Sequence, residues 1–268
     1  MTAPNGRLQA RVIRTDGLPA ELVEQMWRLF AQSYDDVTRE QFDRDLAEKH
    51  SVIVGFDAGD HSFQGFSTLE IYEHCHESKK VGVLFSGDTM LRPAYWGQTA
   101  MHVAFARTAV LRRLRHPLTP LYWFLTSMGY RTYLVMARNF PRRYWPRHDA
   151  ITPPWIEGLI AALARRRYGE AWDDDAKVIR FARPQGSLAA HVAPITSEVR
   201  ALPEVDFLVW RNPGYRDGAE LACVAQVTVP DLARVALKMA RRIFGCRGRR
   251  KQPAVDGSAA PTAGQAEP

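Results

Sequence analysis

Gln9 to Arg14 mixes apolar and polar positions as a first strand would, and after Gly17-Leu18-Pro19 the spacing changes to threes and fours at Leu22, Val23, Met26, Leu29 and Phe30. The first pattern predicts a strand, and the longer period predicts an amphipathic helix. A second helix is expected after Val37, where Thr38 and Gln41 stand at the capping-box offset and Phe42 and Leu46 supply an apolar side. Three runs rich in strand formers follow, Ser51 to Phe56, Ser62 to Tyr72 and Lys79 to Leu91. The first two flank Asp57-Ala58-Gly59-Asp60, which has the composition of a hairpin turn, so an antiparallel meander is the simplest arrangement.

Beyond the meander, Thr99, Val103, Ala106, Val110 and Leu114 share one face of an expected helix, and Arg112, Arg113 and Arg115 crowd its last turn, where cations complement the helix dipole. Leu121 to Leu125 reads as a buried strand, and Tyr130 to Phe140 as a helix stopped by Pro141. A further helix is expected over Pro154 to Tyr168 and a late strand over Lys177 to Ala182. Glu204 to Trp210 and Ala219 to Val227 read as strands around Asn212-Pro213-Gly214, a turn signal, and together suggest a hairpin-like appendage. Leu232, Val235, Met239 and Ile243 then form a stripe opposite Arg234, Lys238, Arg241 and Arg242. The expected organisation is a flexible N-terminus over 1–8, a main domain over 9–182, a C-terminal extension over 183–251 and a disordered Pro-, Ala- and Gly-rich tail over 252–268.

With 268 residues, 46% of them hydrophobic, the chain can bury a sizeable core. No apolar run reaches the roughly 20 residues of a membrane-spanning helix, and the first residues lack an apolar signal core, so a cytoplasmic setting is the expectation. Cys75, Cys223 and Cys246 are too few and too dispersed for a disulfide framework. His74-Cys75-His76 has no second ligand pair at a metal-binding spacing, so no metal site is expected. The net charge of +7 calls for an anionic partner. No zinc-finger spacing, RNA-recognition aromatic motif or helix-turn-helix is visible, so nucleic acid is not the expected one. Residues 231–251 read as a basic amphipathic helix suited either to an anionic membrane surface or to packing on the domain.

The chain's most informative stretch runs from Thr89 to Met101, where a strand breaks at Pro93 and Gly97 and enters a helix. A helix start leaves backbone N–H groups without intrahelical partners at the positive end of the dipole, a natural seat for phosphate. Leu91-x-Pro93-x-Tyr95-x-Gly97, following a strand and opening a helix, resembles the acyl-CoA pyrophosphate loop of the GNAT superfamily of N-acyltransferases. It departs from that pattern at Trp96, Thr99 and Met101, which stand where the family has Arg or Gln, Gly, and Gly or Ala. The order of elements over roughly 9–182 is also that of the family. More weakly, the aromatic Leu121 to Phe124 and Tyr144 to Trp145 regions and the appended segment resemble the N-acyl amino acid synthase and acyl-homoserine lactone synthase branches.

The resemblance implies an α/β fold with a mixed, largely antiparallel sheet flanked by helices, here with a C-terminal appendage. It implies transfer of an acyl group, a long chain among the options, from an acyl-CoA or acyl-carrier-protein thioester to a small-molecule amine, by direct attack in a ternary complex. By the same resemblance Thr89, Met90 and Leu91 hold the pantetheine and acyl carbonyl through their backbone, Trp96, Gly97, Gln98 and Thr99 hold the pyrophosphate, Asn139 holds the pantetheine arm, and Tyr144 protonates the leaving thiolate. Tyr130 and Tyr133 compete for that last role. Glu70 and Asp88 interrupt strand-forming segments and are candidate bases, with His74 and His102 as further options. The alternatives are transfer of an acetyl group to a small amine, and a non-catalytic binding or regulatory protein that keeps the fold at a membrane surface.

Overall fold

A computed structural model describes residues 6–182, 187–189, 194–235 and 237. Strand β1 (Leu8–Arg14) leads to helix α1 (Ala20–Ala31), the short β2 (Tyr34–Asp35) and α2 (Arg39–Ala47). The meander follows as β3 (Ser51–Asp57), β4 (Phe63–His76) and β5 (Lys79–Leu91), and then come α3 (Ala100–Arg115), β6 (Leu121–Ser127) and α4 (Tyr130–Asn139). The rest comprises β7 (Tyr144–Trp145), α5 (Pro154–Tyr168), β8 (Trp172–Asp173), β9 (Val178–Ile179), β10 (Ser187–Leu188), α6 (Ser197–Arg200), α7 (Pro203–Arg211) and β11 (Glu220–Val227). The predicted capping residue is in place: the Gln41 backbone N–H donates to Thr38 Oγ1 at 3.2 Å and starts α2.

Nine strands form one sheet in the order β1-β3-β4-β5-β6-β11-β9-β8, with β7 also on β11. Only β5 and β6 run parallel, so the sheet is mixed and largely antiparallel, as the resemblance implies. Helices cover both faces. On one, α1 and α2 pack over Val52, Val54 and Phe66, and α5 over Phe85, Phe124 and Val224. On the other, α3 packs over Ile53 and Leu69, and α4 over Leu125 and Cys223.

Two expectations change. Glu204 to Trp210 is helical, not a strand: Pro203 occupies the first turn, Glu204 and Asp206 sit at the positive end of the dipole, and Val205 and Leu208 bury one face. Its expected hairpin partner is β11, which lies inside the sheet between β6 and β9, so this part of the C-terminal segment is a central element of the sheet. In α3 the buried side carries Met101, Ala104 and Ala109, while Val103, Val110 and Leu114 of the expected stripe are exposed. The helix has apolar residues on more than one side, and the small alanines let it approach the sheet closely. Leu232 and Val235 of the basic stripe are buried against the domain; Met239, Ile243 and the arginines after them lie outside the described residues.

Candidate active site

The parallel pair separates. Gly82 to Ser86 of β5 pair with Leu121 to Leu125 of β6, but Gly87 to Leu91 have only β4 beside them. At the parting point the β4–β5 register shifts, with Gly87 and Asp88 opposing Thr68 alone, as in a β-bulge. Alternate N–H and C=O groups of the last turnless stretch of β5 therefore face a gap where a strand would otherwise receive them. Gly87 fits there for lack of a side chain, since a Cβ would stand 2.5 Å from Thr68 Oγ1. The Thr68 hydroxyl is buried and has no hydrogen-bond partner among the described residues.

On the α2 and α5 face, polar side chains converge at this gap. Asp88 comes from the bulge, Thr126 from β6, Glu220 from the first position of β11, Lys49 from the end of α2, and Arg167 and Tyr168 from the last turn of α5. Tyr168 and Thr126 share a hydrogen bond of 3.0 Å. Arg167 lies 4.0 Å from the Phe85 ring centre and donates to Glu70 at 2.7 Å. Lys49 donates to the Asp45 carbonyl at 3.0 Å. Neither Asp88 nor Glu220 has an ion-pair partner within 4.0 Å among the described residues.

This environment moves proton affinities. Burial, together with the like charge of Asp88, pushes Glu220 up to about 7, while the Thr126 hydroxyl restrains the shift. Asp88 is raised chiefly by burial, against the pull of Lys49. Burial lowers Lys49, and the nearby charge of Arg167 adds to this. Burial also raises the Tyr168 and Tyr34 phenols. A carboxylate near 7 is suited to take a proton at neutral pH, and the Tyr168 phenol beside it stays protonated there.

The opposite face carries a different kind of site. Pro93–Tyr95 forms a single tight turn, and the Tyr95 hydroxyl donates to Asp57 at 2.7 Å and pins the loop to the β3–β4 hairpin. Gly97 has φ +82°, a left-handed conformation that favours glycine, and there is open space where a side chain would stand. Thr99 does not cap α3 with its side chain, and the Ala100 and Met101 N–H groups precede the first intrahelical bond, Val103 N–H to Thr99 at 2.9 Å. Trp96 donates from Nε1 to the Leu91 carbonyl at 2.7 Å, and the Arg131 guanidinium stacks 3.9 Å from its ring centre. Arg131 belongs to the first turn of α4, so both helix starts and one cation meet at this mouth.

The residues named from sequence are thus distributed. Thr89, Met90 and Leu91 form the end of β5 that pairs with β4 alone, and the Thr89 hydroxyl bonds Ser67 at 2.7 Å. Trp96, Gly97 and Thr99 line the loop, whereas the Gln98 side chain turns away, accepting from the Leu8 N–H at 2.8 Å and donating to the Gly6 carbonyl at 3.1 Å. Asn139 ends α4, about 12 Å along the axis from Arg131, and donates to the Val135 carbonyl at 2.9 Å. Asp88 and Glu70 lie on the cleft face. Tyr144 lies on the other face, buried against Tyr133, its phenol pushed up to about 12 by burial. The sheet therefore stands between Tyr144 and the two carboxylates. His74 and His76 stack near Trp155 at the far end of β4. Sequence reasoning missed Lys49, Thr126, Arg131, Arg167, Tyr168 and Glu220; only the position of Glu220, a lone charge opening an apolar strand, offered a signal.

Among the described residues, no three His, Cys, Asp or Glu side chains are placed to hold a metal ion, and no helix is long and apolar enough to cross a membrane. No protein-family model matches the sequence, and no curated protein is similar to it. Several solved structures align with part of the chain. A conserved Enterococcus faecalis V583 protein described as a probable N-acyltransferase is 13% identical, with a TM-score of 0.36 over 48% of this chain and 32% of its own. Escherichia coli ElaA is 12% identical, with a TM-score of 0.36 over 55% of this chain and 93% of its own. A GCN5-related N-acetyltransferase from Kribbella flavida is 12% identical, with a TM-score of 0.35 over 48% and 33%. The chain spans about a third of the length of the first and third of these proteins.

Proposed function

We propose that this protein transfers an acyl group from a thioester to an amine by direct attack in a ternary complex. The observation that carries the reading is the gap between β5 and β6, with a proton-accepting cleft on one face and an anion-seating mouth on the other. An extended pantetheine arm carries amides of its own, and the gap-facing backbone groups of the Thr89 to Leu91 stretch, other than the Leu91 carbonyl already bonded to Trp96 Nε1, offer it hydrogen bonds of a missing strand. The phosphates at the end of that arm, on CoA or on an acyl carrier protein, suit the open helix start at Gly97 to Met101 and the Arg131 guanidinium.

The amine approaches from the cleft. Its nitrogen bonds to the thioester carbonyl carbon as the carbon–sulfur bond breaks; Glu220 takes the proton that the nitrogen loses, and the departing thiolate takes one up. Tyr168 is the phenol placed on the cleft face for that second transfer, while Glu70 holds Arg167 against Phe85. Binding of CoA, acetyl-CoA, palmitoyl-CoA and an acylated carrier protein by calorimetry, followed by thiol release with a panel of amines, tests the reading and ranks acyl length. Failure of all four donors to bind overturns it and leaves the fold as a non-catalytic binding protein.

A further inference from the structure

A second concentration of charge lies away from the gap, at the β1 edge of the sheet. Between β1 and α3 runs an open cleft of about 1020 Å³. Six arginines and two histidines line it, and no Asp or Glu does. Arg14 and Arg112 are engaged by Asp16 and Glu73 from outside the cleft, but Arg7, Arg11, Arg107 and Arg115 make no ion pair among the described residues. Like charges gathered along one cleft repel one another, and a bound anionic surface relieves that repulsion.

Large apolar side chains are exposed among these cations. Val12 on β1 is 46% exposed, and on α3 the sector turned from the sheet presents Val103, Val110, Leu111 and Leu114, the last 72% exposed. Arg107 lies within that sector, and Leu118, at 95%, stands in the loop just beyond the helix, close in sequence to Arg113 and Arg115. Phosphate backbones of nucleic acid would satisfy the arginines and leave these side chains in water, and no Phe, Tyr or Trp lines the cleft for bases to stack on. A lipid surface accommodates both, with apolar side chains below the head groups and arginines among them.

We infer that the β1–α3 face docks on an anionic phospholipid bilayer, with Leu114 and Leu118 entering the interface and Arg7, Arg11, Arg107 and Arg115 held to the head groups. None of these residues belongs to the basic segment after residue 231, and the inference stands independently of the acyl-transfer reading.

The test is sedimentation of the full chain with phosphatidylcholine vesicles made with and without phosphatidylglycerol. Binding is expected only to the anionic vesicles. Arg11→Gln/Arg107→Gln/Arg115→Gln is expected to weaken it about a hundredfold, and Leu118→Ser, in an exposed loop where it cannot disturb the core, about tenfold. Arg241→Gln/Arg242→Gln is expected to leave it within about threefold, since these are not among the arginines assigned to the head groups. Equal binding to neutral vesicles, unchanged binding by the triple or Leu118 variant, loss only in the Arg241/Arg242 variant, or displacement from vesicles by duplex DNA would each overturn the proposal.

Discussion

The two faces of the sheet meet the same gap with opposite chemistry. On the α2 and α5 face the side chains are titratable and their proton affinities are displaced: Glu220 sits near 7, Asp88 is raised and Lys49 lowered. On the α3 and α4 face the groups at the mouth are backbone amides and one guanidinium, whose charge does not change near neutral pH. The contrast follows from where each set comes from. Strand ends and helix C-termini bring side chains into a closed cleft where desolvation acts, whereas helix N-termini bring main-chain donors to an open mouth. A reaction that moves both a proton and a phosphate-bearing carrier can use the two faces separately.

That separation is open to direct attack by mutation. The largest effect is expected from Glu220→Gln, which removes the base: turnover should fall about 100- to 10,000-fold, with the donor KM unchanged. In the unaltered protein turnover should rise as the pH climbs through about 7, because only the carboxylate accepts the proton, and the Gln variant should lose that rise. The same residue affects stability. Its ordinary value is 4.5 and the folded value is about 7, so the native state holds the proton more tightly than the unfolded chain does. Stability should therefore decline as pH rises between those values and level off above them, and thermal melts of the variant should flatten the decline.

Smaller effects sharpen the same contrast. Tyr168→Phe should slow thiol release about tenfold to a hundredfold at saturating donor. Arg131→Ala should instead raise the donor KM about tenfold with turnover kept, and added salt should narrow the difference from the unaltered protein. A matching fall in turnover for Arg131→Ala would mean that the mouth takes part in proton handling and that the two faces are not separate. The smallest effect belongs to Tyr144→Phe, which lies across the sheet from the cleft: turnover within about threefold, and a loss of about 1 kcal/mol for the phenol's hydrogen bonding, read as a small drop in Tm. If Tyr144→Phe slows release more than Tyr168→Phe does, the thiolate is protonated from the α4 face.

Local pattern carried much of the fold. The period change after Gly17, the Thr38 cap and the break at Pro93 and Gly97 each act over a few residues, so the meander, α1 to α5 and the candidate mouth could be read directly. Two failures had one cause. Glu204 to Trp210 has apolar residues that suit either a strand or a helix, and α3 has apolar residues on two sides; in both, tertiary packing chose. The cleft was less legible. Lys49, Asp88, Thr126, Arg167 and Glu220 come from five separate elements or their ends, and nothing in their spacing announces that β11 inserts beside β6 to gather them.

The placement of β11 also bears on how the protein is made. Residues 220–227 emerge from a ribosome long after β6, yet they are the strand that pairs with it and that carries Glu220. Until then the nascent chain holds β6 with one side unpaired, a state in which a sheet edge is vulnerable to pairing with the wrong partner. Completion of the sheet and arrival of the Glu220 carboxylate in the cleft are thus one late event in biogenesis, and a chain released before residue 220 would lack both together.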